Sequence, residues 1–246
     1  MRSAEEILTL IAGGRTDAIV ELFEHEGWPK LLGEGQIKPM QWLVYYGDVT
    51  AMKLALREGA DLSSIDLDAE LGNAAFFGHW AMCDFLLSLG ADATYVDPIT
   101  GETALHSALS KAGRPYYNRV VQLLLENGAN PNAPTIPDCE TGAFMRDVRT
   151  KGETPLHRAA AFADAEAIRM LLDHGADKKA HDIAGDTPLS WASWHLRPGE
   201  VLQLLAYGEH RISDAHVARN TSDHGAGWGN SMERSLIGDF LRESKN

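Results

Sequence analysis

Gly-Glu-Thr-Pro-Leu-His at 152–157 recurs as Gly-Asp-Thr-Pro-Leu-Ser at 185–190, 33 residues later, and a looser copy reads Gly-Glu-Thr-Ala-Leu-His at 101–106. Each copy leads into a leucine-rich stretch closed by glycine: Leu123-Leu124-Leu125 before Gly128, Leu171-Leu172 before Gly175, and Leu204-Leu205 before Gly208. A fixed period of this length marks a stack of small helical units, each completed by its neighbours because it cannot bury an apolar face alone. Such arrays lengthen without forming one central core, so 246 residues read as one extended array rather than two globular domains. The surface offered is then a long wall for a partner, not an enclosed reaction chamber.

The copy at 149–181 explains the local chemistry. Thr154 stands where a helix N-cap hydroxyl meets orphan amides. Pro155 follows at the first helical position, where its missing N–H has no bond to lose. Ala159 and Ala160 are small enough for a neighbouring helix to approach. Ala167, Ile168, Leu171 and Leu172 then fall on one face of a second helix, and Gly175 supplies the left-handed residue that stops it.

This pattern resembles the ankyrin repeat, a β-turn plus two antiparallel helices built on Thr-Pro-Leu-His-x-Ala. The match is closest over 97–208 and is recognisable upstream, in Gly90-Ala91-Asp92 and in Gly59-Ala60-Asp61, 31 residues apart. The resemblance implies an all-α ankyrin-repeat solenoid of about six units, at about 4–35, 36–65, 66–96, 97–148, 149–181 and 182–212, the first an atypical cap. The fourth is oversized. The step from Gly128 to Gly175 is 47 residues, which places 14 extra residues near 134–149, and four more lie around Gly113–Tyr116 between its two helices. Residues 213–246 leave the pattern. There, Asn230-Ser231-Met232-Glu233 reads as a capping box ahead of an amphipathic helix carrying Met232, Leu236, Ile237, Phe240 and Leu241, a C-terminal cap or tail.

The resemblance also implies where a partner would sit: on the turn tips and the exposed end of each first helix. Those helix-end pairs are Tyr45 and Tyr46, Phe76 and Phe77, Ser110 and Lys111, Ala161 and Phe162, and Trp194 and His195. Four of the five hold an aromatic, and exposed aromatics in a row mark binding surfaces because each buries a large area at little entropic cost. One residue of each pair turning inward to pack between helices is the competing expectation. Lys151, Glu153, Asp186 and Glu102 are expected as a polar rim on the fingers. The insertion at 134–149, with Ile136, Cys139, Phe144, Met145 and Arg146, is expected to lengthen a finger on the same side and to govern partner choice.

Ten histidines invite a search for chemistry. The family pattern makes His106, His157 and His79 structural. His210, His216 and His224 gather near Asp214 and Asp223, but spacings of 6 and 8 fit neither a helical metal pair nor a compact finger. Gly225-Ala226-Gly227-Trp228-Gly229 follows no strand, and no acid–base pair stands at catalytic spacing. The sequence is therefore read as a non-enzymatic protein-binding module without cofactor or metal. An inhibitor of one specific enzyme or pathway, and a metal-dependent or enzymatic role for the histidine-bearing tail, are the alternatives. A net charge of −13 disfavours phosphate backbones, so the partner is another protein and not nucleic acid. No apolar run reaches the ~20 residues of a membrane span, Cys83 and Cys139 form no disulfide framework, and two acids in Met1–Glu6 do not suit a signal peptide. The expectation is a cytoplasmic monomer, resident or exported as an effector.

Overall fold

The computed structural model describes residues 2–31, 38–111, 114–141 and 151–208. The proposed tail at 213–246, His210, His216 and His224, and Phe144, Met145 and Arg146 of the insertion lie outside the described residues. Among the described residues there is no strand. Helices run α1 (Ala4–Ala12), α2 (Ile19–Leu22), α3 (Trp28–Leu31), α4 (Pro39–Tyr46), α5 (Val49–Arg57), α6 (Leu67–Phe77), α7 (Trp80–Ser88), α8 (Ala104–Ala108), α9 (Asn118–Glu126), α10 (Pro155–Phe162), α11 (Ala165–Asp173), α12 (Pro188–Trp194) and α13 (Gly199–Leu205). They fall into two compact units: Met1–Leu109 with Pro115–Asn130, and Ser110–Arg114 with Pro131–Asn246. The division lies inside the oversized fourth repeat.

In the N-terminal unit, first helices stack on first helices and second on second: α6 packs on α4 and α8, and α7 on α5 and α9. The core is aliphatic and small: Leu43 and Val44 of α4, Leu71, Ala74 and Ala75 of α6, and Met82, Cys83 and Leu86 of α7 are all buried. In the C-terminal unit the same layering joins α10 to α12 and α11 to α13, around Leu156, Ile168, Leu171, Trp191 and Leu205.

The repeated motif works as capping chemistry. Thr103 and Thr154 form reciprocal boxes with His106 and His157 at the starts of α8 and α10. In the second, the Thr154 amide donates to His157 Nδ1 at 3.2 Å, so the ring proton resides on Nε2, which donates to the Asp186 carbonyl at 3.0 Å. One imidazole thus ties its own helix start to the next finger, and burial pushes its pKa down to about 4. The fingers are Asx-turns: Asp97 Oδ1 accepts the amides of Ile99 and Thr100, and Asp182 Oδ1 those of Ala184 and Asp186.

Helix C-termini leave orphan carbonyls, and at the ends of α1, α4, α6 and α10 one is met by a side chain from the following repeat. Tyr46 donates to the Ala12 carbonyl at 2.8 Å, and Tyr117 to Phe76 at 2.8 Å. His79 Nε2 lies 2.9 Å from the Tyr45 carbonyl. In the C-terminal unit Arg197 reaches the carbonyls of Ala161, at 2.9 Å, and Ala163. Two glycines make room for these contacts. Gly47 and Gly78 end α4 and α6 in the left-handed conformation, at φ 70° and 75°. A Cβ at either would stand 2.7–2.8 Å from the ring of His79 or Tyr117.

Candidate partner-binding surface

The helix-end pairs take different forms in the two units. In the N-terminal unit they make one cluster of rings. Tyr45 meets Phe77 edge-on at 4.6 Å, Tyr46 at 4.9 Å and Trp42 at 5.4 Å, and Phe77 continues to Phe76 at 5.2 Å. Such tilted contacts are favourable quadrupole geometry. Tyr45 is 43% exposed and Tyr46 37%, while Phe76 and Phe77 are half-buried. Tyr46 is also held from behind, its hydroxyl on Ala12 and its ring over Gly14. The cluster is therefore rigid before anything binds it.

In the C-terminal unit most of the expected surface residues turn inward. Phe162 is only 6% exposed, since His195 packs edge-on against it at 5.3 Å and Arg197 spans the end of its helix. Ala161 and Ser110 are buried as well. Trp194 and His195 are half-buried. Burial, then the nearby Arg197 and Lys151 charges, push the His195 pKa down to about 4. Lys151, expected on a solvated rim, is buried, its ammonium 4.7 Å from the Trp194 ring centre. Asp186 is buried because its backbone closes the finger at Asp182 and accepts from His157. Lys111 is half-exposed, and its pKa is lowered by burial and then by Arg114.

Glu153 departs furthest from a rim residue. It is fully buried, and its Oε1 accepts from Arg158 Nη2 at 2.6 Å and Nε at 2.8 Å. Arg158, also fully buried, donates onward to Ser110 Oγ at 2.9 Å and Thr141 Oγ1 at 3.1 Å. Thr135 completes the network, donating its hydroxyl to Glu153 Oε2 and its amide to the Glu153 carbonyl, both at 2.9 Å. The ion pair thereby anchors Thr135 and Thr141, described residues of the insertion, against the start of α10. The motif offers one signal for it. In Leu-His-x-Ala the x slot is unspecified, yet it lies between residues that are buried; it holds Ser107, Arg158 and Trp191 in successive copies. Trp191 is likewise buried and donates to Asp182 Oδ2 at 3.0 Å.

The N-terminal unit has its own buried carboxylate, which periodicity does not flag. Glu70 on α6 is 2% exposed and accepts from Gln41 Nε2 at 2.7 Å and Asn73 Nδ2 at 3.2 Å. Burial raises its pKa, against the lowering by these two amides. Among the described residues no group of three His, Cys, Asp or Glu is placed to hold a metal ion, and no helix is long and apolar enough to cross a membrane.

Comparison with known proteins agrees with this architecture. The family model for ankyrin repeats (3 copies) matches residues 40–135 and again 137–216, well over half of the sequence. This chain belongs to the ankyrin repeat family. Its similarity to human Rabankyrin-5 is 35% identity over 121 residues, covering 47% of this chain and 10% of that protein. Target of rapamycin complex 2 subunit AVO2 of Saccharomyces cerevisiae is 27% identical over 177 residues, 68% of this chain and 37% of that one. Human Ankyrin repeat and SOCS box protein 3 is 27% identical over 168 residues, 58% of this chain and 32% of that one. The chain thus spans well under half the length of these relatives. Ankyrin repeats generally mediate protein–protein interaction and are typically non-enzymatic.

Proposed function

We propose that this ankyrin-repeat chain recognises a partner protein through the ring cluster of its N-terminal unit, centred on Tyr45 and Tyr46 of α4 and Phe76 and Phe77 of α6. The observation that carries the reading is the exposure of Tyr45 and Tyr46, at 43% and 37%, in a cluster already locked by edge-on contacts and a hydroxyl staple. A pre-organised aromatic surface pays little entropy on binding, which is the usual character of an interface anchor. In the C-terminal unit, half-buried Trp194 and His195 are secondary contacts. The insertion at 134–149 governs partner choice, a role supported by the buried Arg158–Glu153 pair that holds its Thr135 and Thr141. Six repeats, a monomeric state and a cytoplasmic location complete the reading; neither Cys83 nor Cys139 is in a disulfide.

The test is Tyr45→Ala in the full chain. Loss of a central anchor lowers affinity by about 2 kcal/mol, well beyond the about 1 kcal/mol of stability expected from losing its edge-on ring contacts. Capture of partners from the native cell, compared between wild type and Tyr45→Ala, reads the first effect, and calorimetric melting the second. An identical partner set at equal yield with both proteins would remove the ring cluster from the interface.

A further inference from the structure

Charge is distributed unevenly along the N-terminal unit. Between Arg57 and Lys111 there is no lysine or arginine, while nine carboxylates fall between Glu58 and Glu102. This stretch builds α6, α7 and the finger before α8. A cleft of about 240 Å³ opens along it, lined by Asp68 and Asn73 of α6, by Tyr95, Asp97 and Glu102 of the finger, and by Ser107 at α8. None of the described residues lining it is cationic. Lys38, at the start of α4, is turned to the Ser64 carbonyl.

The cleft and the ring cluster share one helix face. Phe77 follows Asn73 by four residues on α6, as Asn73 follows Glu70 by three, so carboxylate, amide and ring succeed one another turn by turn. On α4, Gln41 and Tyr45 repeat that spacing, and Gln41 closes on Glu70 at 2.7 Å. The described partners of Glu70 are neutral amides, so its negative charge is hydrogen-bonded but not cancelled. A low-dielectric wall carrying one sign of charge concentrates its field in the cleft. The faces of Tyr45 and Tyr46 add a second attraction for cations, through the negative side of each ring. The molecule uses that contact internally, with Lys53 over Phe85 at 5.1 Å and Arg119 over Trp80 at 5.6 Å.

We infer that the partner segment docking on this unit is an extended, basic peptide. A lysine or arginine side chain lies on the Tyr45–Tyr46 rings, and the following backbone runs through the cleft of Asp68, Asp97 and Glu102. The inference rests on the proposed role of the ring cluster and adds the chemistry of what binds there. Acidic and neutral segments forgo both attractions, and nucleic acid is repelled by the same carboxylates.

A phage-displayed library of short random peptides, panned against the full chain, tests this directly. The expected binders are enriched in lysine and arginine. Their affinity falls about tenfold on Tyr45→Ala and by a smaller factor on Asp68→Asn/Glu102→Gln, with a shallower salt dependence in the latter. Both variants are first checked by melting to be folded. The second variant keeps the carboxylates' shape and acceptor oxygen, so it remains informative if the first unfolds. Binders that depend on Tyr45 but show no basic enrichment overturn the inference and leave the ring cluster as a docking site. Basic binders indifferent to Tyr45→Ala overturn the inference, since bulk charge then accounts for binding, and leave the ring-cluster reading to the cell capture. A library yielding no binder overturns the inference, while cell capture with Tyr45→Ala decides the broader reading separately.

Discussion

Glu70 and Glu153 are both buried carboxylates, one in each unit, and they are balanced in opposite ways. Glu153 meets a guanidinium, and the pair recruits Ser110, Thr135 and Thr141. Among the described residues, Glu70 is met by the amides of Gln41 and Asn73. The C-terminal unit thus neutralises its charge within the fold and uses the pair to anchor the insertion. The N-terminal unit retains its charge beside exposed rings. A buried ion pair is no guarantee of added stability over apolar packing. Its use here is to hold Thr135 and Thr141 of the insertion in place. A carboxylate held by neutral donors contributes a standing field, which is useful to a surface that meets something else.

The same isosteric change in both units is the sharpest way to break this contrast. Glu153→Gln leaves the Arg158 guanidinium buried without a counter-charge, and should lower apparent unfolding free energy by about 3–5 kcal/mol in urea titration. The double change Glu153→Gln/Arg158→Met should recover most of that, because the uncompensated charge is gone. A loss under about 1 kcal/mol for the single variant would show that the network is not what holds the unit.

Acid should act next, through His157. Its folded pKa, about 4, lies below its ordinary value of 6.5, so the unfolded chain binds the proton more readily. The stability it contributes is whole above pH 6.5 and is lost as pH falls toward 4, by about 3 kcal/mol at the lower limit. His195 is shifted in the same direction and, being half-buried, should add a smaller effect of the same sign. Urea titrations at several pH values, compared with His157→Gln, should show the variant insensitive to this component. A parallel pH dependence in both proteins would remove His157 as its source.

Smaller effects sharpen the comparison from the N-terminal side. Tyr117→Phe removes one staple and leaves the Phe76 carbonyl to water, for about 1 kcal/mol by thermal melting. Glu70→Gln should change stability by less than about 1 kcal/mol, because relief of a desolvated charge offsets one lost amide bond. A Glu70→Gln loss as large as that of Glu153→Gln would abolish the distinction between the two carboxylates.

Period and cap residues made the fold legible from sequence. The Thr-Pro-Leu-His copies stand at helix starts, and Gly128 and Gly175 follow the ends of α9 and α11 as expected, because capping is local chemistry written in adjacent residues, whereas α13 stops at Leu205 with Ala206 extended, before Gly208. The site was legible only in part. Tyr45, Tyr46, Phe76 and Phe77 gather as a cluster, but Phe162, Lys151, Glu153 and Asp186 turn inward. Their direction depends on contacts far along the chain, such as Thr135 on Glu153, His195 on Phe162, Trp194 on Lys151 and His157 on Asp186, which no periodicity encodes. The staples were hidden for a different reason. The same carbonyl position is served by Tyr46, His79, Tyr117 and Arg197, four donors from three residue types at shifting offsets from glycine.

Those staples give the array a direction. Among the described residues, four first helices, α1, α4, α6 and α10, are closed by a side chain that belongs to the repeat after them. During synthesis a helix would therefore emerge with a frayed end and be sealed only when its successor has been made. Deleting a repeat from the C-terminal side should unseal the helix left behind, whereas an equal deletion from the N-terminal side removes a donor's target and leaves every remaining seal in place.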